Sequence, residues 1–160
     1  KDLPDKIREY GLKTVKSFGV KSRFIHLEFF VLSQDQEGLG KKGDVLGLEV
    51  NMRPAGGYTP DMYNYSQETD VYKIWADMVC FNKNTKPIGA HHFCAFYGRR
   101  DGVHYKLDDY EVMMKYRDHM VMNGRIPDAL SGAMANQMYV ANFDTQEELD
   151  RFYRDLSEKF

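Results

Sequence analysis

The sequence predicts an α+β fold in which antiparallel strands pack against helices. Residues 45–53 alternate apolar and polar side chains, which is the pattern of a half-buried antiparallel strand. Residues 145–148 form a Thr-x-x-Glu capping box, and an apolar stripe at helical spacing follows it. With 160 residues, 42% of them hydrophobic, the chain can bury a core of ordinary size.

In the first half, the patterns predict two helices and a β-hairpin. Residues 2–18 carry the helix-start residues Asp2 and Pro4 and a repeating apolar stripe, and we expect this helix to stop at Gly19. Residues 21–32 and 45–53 predict two strands joined by a glycine-containing turn near position 38. A turn-rich loop follows, and apolar residues at helical spacing from position 71 to position 78 predict the second helix.

In the second half, the patterns predict strands and helices in a mixed order. Residues 88–97 predict a strand that ends in a glycine turn at 98–102. Residues 107–128 favour a helix with a break at Asn123-Gly124, and residues 138–142 predict a short strand. The capping box predicts the start of the final helix.

The composition excludes several kinds of partner. The chain has 22 basic and 24 acidic residues, so its net charge of −2 gives no reason to expect binding to nucleic acid or to an anionic membrane. No apolar run approaches the roughly 18 residues that a membrane span needs. Two cysteines are too few for a secreted disulfide scaffold, so we expect a cytoplasmic protein.

The candidate site lies on the two strands of the predicted hairpin. Pairing them around position 38 puts Glu28 opposite Glu49. Because side chains alternate between faces, Glu49, Asn51 and Arg53 share one face of the second strand. We expect the other face of that strand, with Leu48, Val50 and Met52, to pack on the core.

These residue types suit a metal–phosphate site. Two adjacent carboxylates repel each other unless a cation is supplied, and carboxylate and amide oxygens suit Mg²⁺, which also binds substrate phosphates. Arg53 is able to pair with a phosphate or carboxylate through two donors, and Gly56-Gly57 lets backbone amides approach an anion. The alternative interpretation is that the polar residues form only the solvated face of an antiparallel sheet.

The two motifs resemble the carboxyl-terminal half of an ATP-grasp enzyme. Residues 24–30 (FIHLEFF) and residues 48–57 (LEVNMRPAGG) are similar to the family's strand with a Glu and its following E-x-N-x-R strand. Biotin carboxylase and carbamoyl-phosphate synthase are the most similar in shape, whereas the R-x-x-G-G ending resembles carboxylate–amine ligases. Residues 88–93 resemble the first strand of the carboxyl-terminal domain of biotin carboxylase. Residues 131–140 and the capped helix that follows them resemble its last strand and helix.

The resemblance implies a role for each motif residue. It implies that Glu28, Glu49 and Asn51 hold Mg²⁺, for which Mn²⁺ can substitute, and that the catalytic Arg53 lies near the transferred phosphate. The remaining assigned residues bind nucleotide or substrate: Leu48 at the adenine pocket, and Gly56 and Gly57 at the anionic substrate.

The implied function is an ATP- and Mg-dependent ligase that forms an acyl-phosphate from a small-molecule carboxylate, which an amine or thiol nucleophile then attacks. Residues 1–82 are then the end of the ATP-grasp domain, and residues 83–160 are a small α+β subdomain packed on it. We expect the chain to be a fragment that lacks the amino-terminal half and is inactive alone; whether it forms a homodimer is left open. The alternative function is a non-catalytic docking or dimerisation module.

Overall fold

The computed structural model describes residues 3–160 and is an α+β structure. Within this range, strands pair into a two-stranded antiparallel sheet, β1-β2, and a three-stranded antiparallel sheet with the order β3-β5-β4. None of the helices in this range has the length and apolar composition needed to cross a lipid bilayer. The elements are α1 (Asp5–Ser17), β1 (His26–Val31), β2 (Val45–Asn51), α2 (Thr59–Gln67), α3 (Val71–Phe81), β3 (Phe93–Arg99), α4 (Asp109–Lys115), β4 (Met120–Arg125), α5 (Asp128–Met134), β5 (Gln137–Phe143) and α6 (Gln146–Ser157).

The chain divides into two compact units. The first contains the residues up to Pro60 and Val71–Lys86, and the second contains Asp61–Asp70 and Pro87–Phe160. The predicted boundary after residue 82, between the end of an ATP-grasp domain and a following subdomain, stays a prediction; in the structure, residues 61–70 belong with the second unit.

Helix α1 covers the hairpin of the first unit. The helix follows Pro4 and ends where Gly19 takes a φ of +61°, a conformation that glycine adopts without strain, so the predicted stop is confirmed. Asp2 lies outside the described residues. A Cβ on Gly11 would lie 3.8 Å from the Leu27 Cδ1 atom, so this glycine brings α1 close to strand β1.

Two helices follow the hairpin, and the sequence predicted only one of them. Helix α3 forms where the apolar spacing predicted it, whereas α2 occupies positions where no element was expected. In α3, the buried carboxylate of Asp77 accepts hydrogen bonds from the Lys73 ammonium (3.0 and 3.1 Å) and from the Thr85 hydroxyl. The Thr85 hydrogen bond fixes the loop after α3 to the helix. The same bonds, and the Thr85 bond most of all, hold the pKa of Asp77 below its ordinary value.

Polar contacts hold the segment Asp61–Asp70 in the second unit. The Ser66 carbonyl accepts the backbone N–H of His92 (2.8 Å), and the Ser66 hydroxyl donates to the His92 carbonyl (2.8 Å). The imidazole of His92 lies between Glu68 Oε1 (3.1 Å from Nε2) and Asp144 Oδ1 (2.9 Å from Nδ1). The segment is therefore bound to the second unit by hydrogen bonds and ion pairs to distant residues, and the local sequence of residues 61–70 does not predict these contacts.

The core of the second unit lies between the sheet and helix α6. Strand β5 is central, and Met138–Ala141 and Phe143 are buried along it. The capping box predicted for α6 is present: the Thr145 hydroxyl accepts the Glu148 N–H, and the Glu148 carboxylate accepts the Thr145 N–H. Phe152 lies 5.2 Å from Phe143 between ring centroids, so this helix packs its apolar stripe directly on the strand.

The long helix predicted over 107–128 is wrong. The chain there forms the short helix α4 and then strand β4, which contains Asn123 and Gly124 and pairs with β5. With β3 on one edge of β5, the backbone groups on its other edge need a partner, and β4 supplies it. Pairing across the sheet thus outweighs the local helical preference of these residues.

A buried arginine at the end of β3 joins three parts of the second unit. Arg99 is 3% exposed, and its Cζ lies 4.4 Å from the centre of the Tyr105 ring. Its Nε donates to the Leu156 carbonyl (3.1 Å) and its Nη1 to the Leu107 carbonyl (2.7 Å). Leu156 lies in the last turn of helix α6, and Leu107 precedes helix α4. The guanidinium therefore links the end of β3 to both helices through charge-assisted hydrogen bonds.

Candidate functional site

The polar face of the β1–β2 hairpin gathers the predicted metal ligands. Glu28 is the Cα partner of Glu49, and His26 is the partner of Asn51. Directly opposite residues of an antiparallel pair project to the same face, with Cβ atoms about 5 Å apart. The expected opposition of the two glutamates is therefore present, and Asn51 lies on the same face one step along.

A β-bulge lies immediately beside the glutamate pair. The register shifts after Glu28: Phe29 pairs with Gly47, so Leu48 is the extra residue and has no partner in β1. Bulges bend a strand and re-aim neighbouring side chains, and they are frequent next to active sites. A glycine inside the strand, Gly47, is the sequence feature that indicates such an irregularity.

Two residues of the hairpin's other face do not pack on the core. Leu48 and Met52 were expected to pack on the core, but they are 53% and 45% exposed, so that expectation is wrong for both residues. Val45, at the far end of the same strand, is buried. Leu48 is the residue inserted by the bulge, and Met52 follows the end of β2, so neither belongs to the regular alternation that holds for Glu49 and Asn51.

Histidine and asparagine side chains extend the polar face. His26 Nε2 lies 3.3 Å from Glu28 Oε1, and the two side chains are 25% and 42% exposed. His26 Nδ1 and Asn51 Nδ2 are buried and have no hydrogen-bond partner among residues 3–160. The imidazole thus restrains the Glu28 carboxylate on the side of the face where Asn51 lies.

The donor set fits Mg²⁺ that is shared with phosphates. In residues 3–160, no three His, Cys, Asp or Glu side chains converge as a metal cage. Mg²⁺ is usually held by one or two carboxylates together with waters and substrate phosphate oxygens. Two facing glutamates with one amide beside them match that mode of binding and do not match a site built from protein ligands alone.

Arg53 and Gly56 lie together at a small cavity after strand β2. Its volume is about 220 Å³, and its lining is Arg53, Pro54, Ala55, Gly56, Pro60, Val71, Tyr72 and Trp75. The Arg53 Nη1 donates to the Pro54 carbonyl (2.9 Å). Gly57 has a φ of +60° in the adjoining turn, but neither Gly57 nor Leu48 lines this cavity. Five of the seven predicted residues therefore form two groups, the facing glutamates with Asn51 and the arginine with Gly56, and Leu48 and Gly57 lie outside both.

The wall of the cavity contains residues that the sequence did not single out. Val71 and Trp75 come from helix α3, whose existence was expected but whose part in a site was not. Pro60 comes from α2, which was not predicted, although a proline at the first turn is a helix-start feature. Only the folded chain brings these positions next to Arg53.

Comparisons with models of known protein families and with characterised proteins found no significant match to this chain.

Proposed function

We propose that this chain is the carboxyl-terminal part of an ATP- and Mg-dependent ligase of the ATP-grasp type. The observation that supports it most directly is the pairing of Glu28 with Glu49 beside Asn51, next to a bulge. In this proposal the two-stranded sheet belongs to the ATP-grasp domain, and the three-stranded sheet belongs to a following segment similar to that of biotin carboxylase.

The metal-binding role follows from the chemistry of the hairpin face. Glu28, Glu49 and Asn51 would hold Mg²⁺, with Mn²⁺ as a substitute, and the bound ion would neutralise the oxygens of the β- and γ-phosphates. Without a cation the facing carboxylates repel each other. The half-buried His26 imidazole lies 3.3 Å from the Glu28 carboxylate, which limits the rotation of that carboxylate.

The remaining residues act on the substrates. Transfer of the γ-phosphoryl group to a carboxylate oxygen releases ADP and gives an acyl-phosphate, and attack by an amine or thiol then releases phosphate. Arg53 pairs with the oxygens that carry the developing charge, since its planar guanidinium presents two parallel donors. The amides of Gly56 and Gly57 approach the anionic substrate, and exposed Leu48 offers an apolar surface to the adenine.

The residues that bind the phosphate tail and adenine in ATP-grasp enzymes precede the motif found here. We therefore expect residues 1–160 alone to bind Mg-ATP weakly and to lack turnover, because phosphates on one open wall stay exposed to water, where each ionic contact is weak. Calorimetry of the chain with Mg-ATP tests this expectation, and binding in the micromolar range would contradict it.

The decisive experiment measures ATP turnover in the protein translated from the complete reading frame. Glu49→Gln and Asn51→Ala should each lower turnover by roughly 100-fold or more while the fold is retained. Glu37→Gln, which removes an equal charge from the exposed hairpin loop, is the matched control and should leave turnover unchanged. Turnover near the wild-type rate in Glu49→Gln would reject the ligase and favour a solvated sheet face.

A further inference from the structure

The cavity beside Arg53 has apolar walls and a single charged lining residue. Pro54, Pro60 and Val71 are buried, and Trp75 is 40% exposed at its edge. All of the lining residues belong to the first compact unit. The cavity is therefore a hydrophobic recess with one cation, and no carboxylate lies among its lining residues.

The guanidinium retains binding capacity. Its Nη1 donates to the Pro54 carbonyl, and no salt bridge to Arg53 occurs within residues 3–160. An arginine presents five N–H donors, so one bond to a carbonyl leaves a fork for a carboxylate. An anion at this position would gain a charge-assisted contact that the protein itself does not supply.

We propose that this cavity binds the apolar side chain of a small carboxylic acid whose carboxylate pairs with Arg53. The inference rests on the proposed ligase function and names its substrate class: a monocarboxylate with a hydrophobic group of about one ring. The volume of about 220 Å³ lies below the roughly 300–1,000 Å³ of sites for larger ligands. A second charge on the acid would be buried against Pro60 and Val71 without a partner, which is unfavourable.

Trp75 reports binding directly because it is the single tryptophan of the chain and lines the cavity. The experiment titrates the chain with 3-phenylpropionate, without metal or nucleotide, and follows tryptophan fluorescence. We expect a saturable change at millimolar acid. The alcohol of the same skeleton, 3-phenylpropan-1-ol, should bind roughly tenfold more weakly, because it lacks the charge that pairs with arginine. Glutarate should bind at least as weakly as the alcohol.

Variants separate the arginine from general effects. Arg53→Gln should weaken the acid roughly tenfold and leave the alcohol unchanged, whereas Arg8→Gln, an equal charge change on exposed helix α1, should alter neither. If Arg53→Gln does not fold, the comparison of acid with alcohol on the wild-type chain still decides. Equal binding of acid and alcohol, no saturable change, or displacement of the acid by adenosine would each overturn the proposal.

The two proposals fail separately. The titration contains no nucleotide and no metal, so its result does not depend on ligase activity. Acid binding that requires Arg53, together with full turnover in Glu49→Gln, would keep the carboxylate site and reject the ligase. Loss of turnover in Glu49→Gln with no acid binding would keep the ligase and reject this substrate class.

Discussion

Replacing Glu49 by glutamine separates a metal ligand from a structural residue. Glu49 is exposed and lies directly opposite Glu28, so the substitution removes one of two facing charges and keeps nearly the same shape. A residue of the core would respond to substitution with a loss of packing, whereas this one should respond mainly through charge.

The expected gain in the metal-free protein is small and has a definite sign. Two unit charges about 5 Å apart in water repel by about 0.8 kcal/mol, and physiological salt screens this to about 0.4 kcal/mol. For a chain of this length, that change raises the melting temperature by about 1–2 °C. Glu49→Gln should therefore be slightly more stable than the wild type without metal.

Added Mn²⁺ should reverse the order. At ten times its dissociation constant, an ion that binds only the folded wild type stabilises it by about 1.4 kcal/mol, or about 3–6 °C. Glu49→Gln should lose this increment. Melting curves of both proteins, with and without Mn²⁺, measure the two effects, and Glu37→Gln serves as the control for total charge.

Two results would refute this reasoning. A fall of several degrees in metal-free Glu49→Gln would mean that Glu49 is structural and that its contacts stabilise the hairpin. An equal rise of both melting temperatures in Mn²⁺ would mean that the ion binds elsewhere on the chain.

Three further predictions concern the second unit. Leu156→Ala removes a fully buried side chain and should lower the free energy of unfolding, measured by chemical denaturation, by about 2–5 kcal/mol. Leu130→Ala, at a 43% exposed position, should change this free energy little, and similar losses in the two variants would contradict the core assignment. Thr145→Ala removes the cap of α6 and should lower the same quantity by about 1 kcal/mol, with Thr145→Ser close to the wild type; equal effects would reject the cap. The hydrogen bond to Glu68, and to a smaller extent the one to Asp144, raise the pKa of His92 above 6.5. The stability that these contacts add to the fold is therefore complete below pH 6.5 and is lost as the pH rises through the folded-state pKa of His92. The difference in melting temperature between wild type and His92→Gln should accordingly shrink as the pH increases from about 6 to about 9, and a constant difference would exclude the ion pairs as its cause.

The sequence by itself determined features that depend on neighbouring residues. The stop of α1 at Gly19 follows from one residue's backbone freedom, and the capping box of α6 from two side chains three positions apart. The opposition of Glu28 and Glu49 was also predictable, because a hairpin closed near position 38 leaves few registers and the polar residues had to share a face.

Only the tertiary structure decided features that depend on distant partners. Residues 120–125 form a strand because β5 presents an unpaired edge to them, and a local pattern cannot contain that information. Segment Asp61–Asp70 joins the second unit through His92 and Asp144, far along the chain. The recess beside Arg53 exists because two helices pack their side chains there, and packing between elements, unlike periodicity within one, is fixed only when the chain folds.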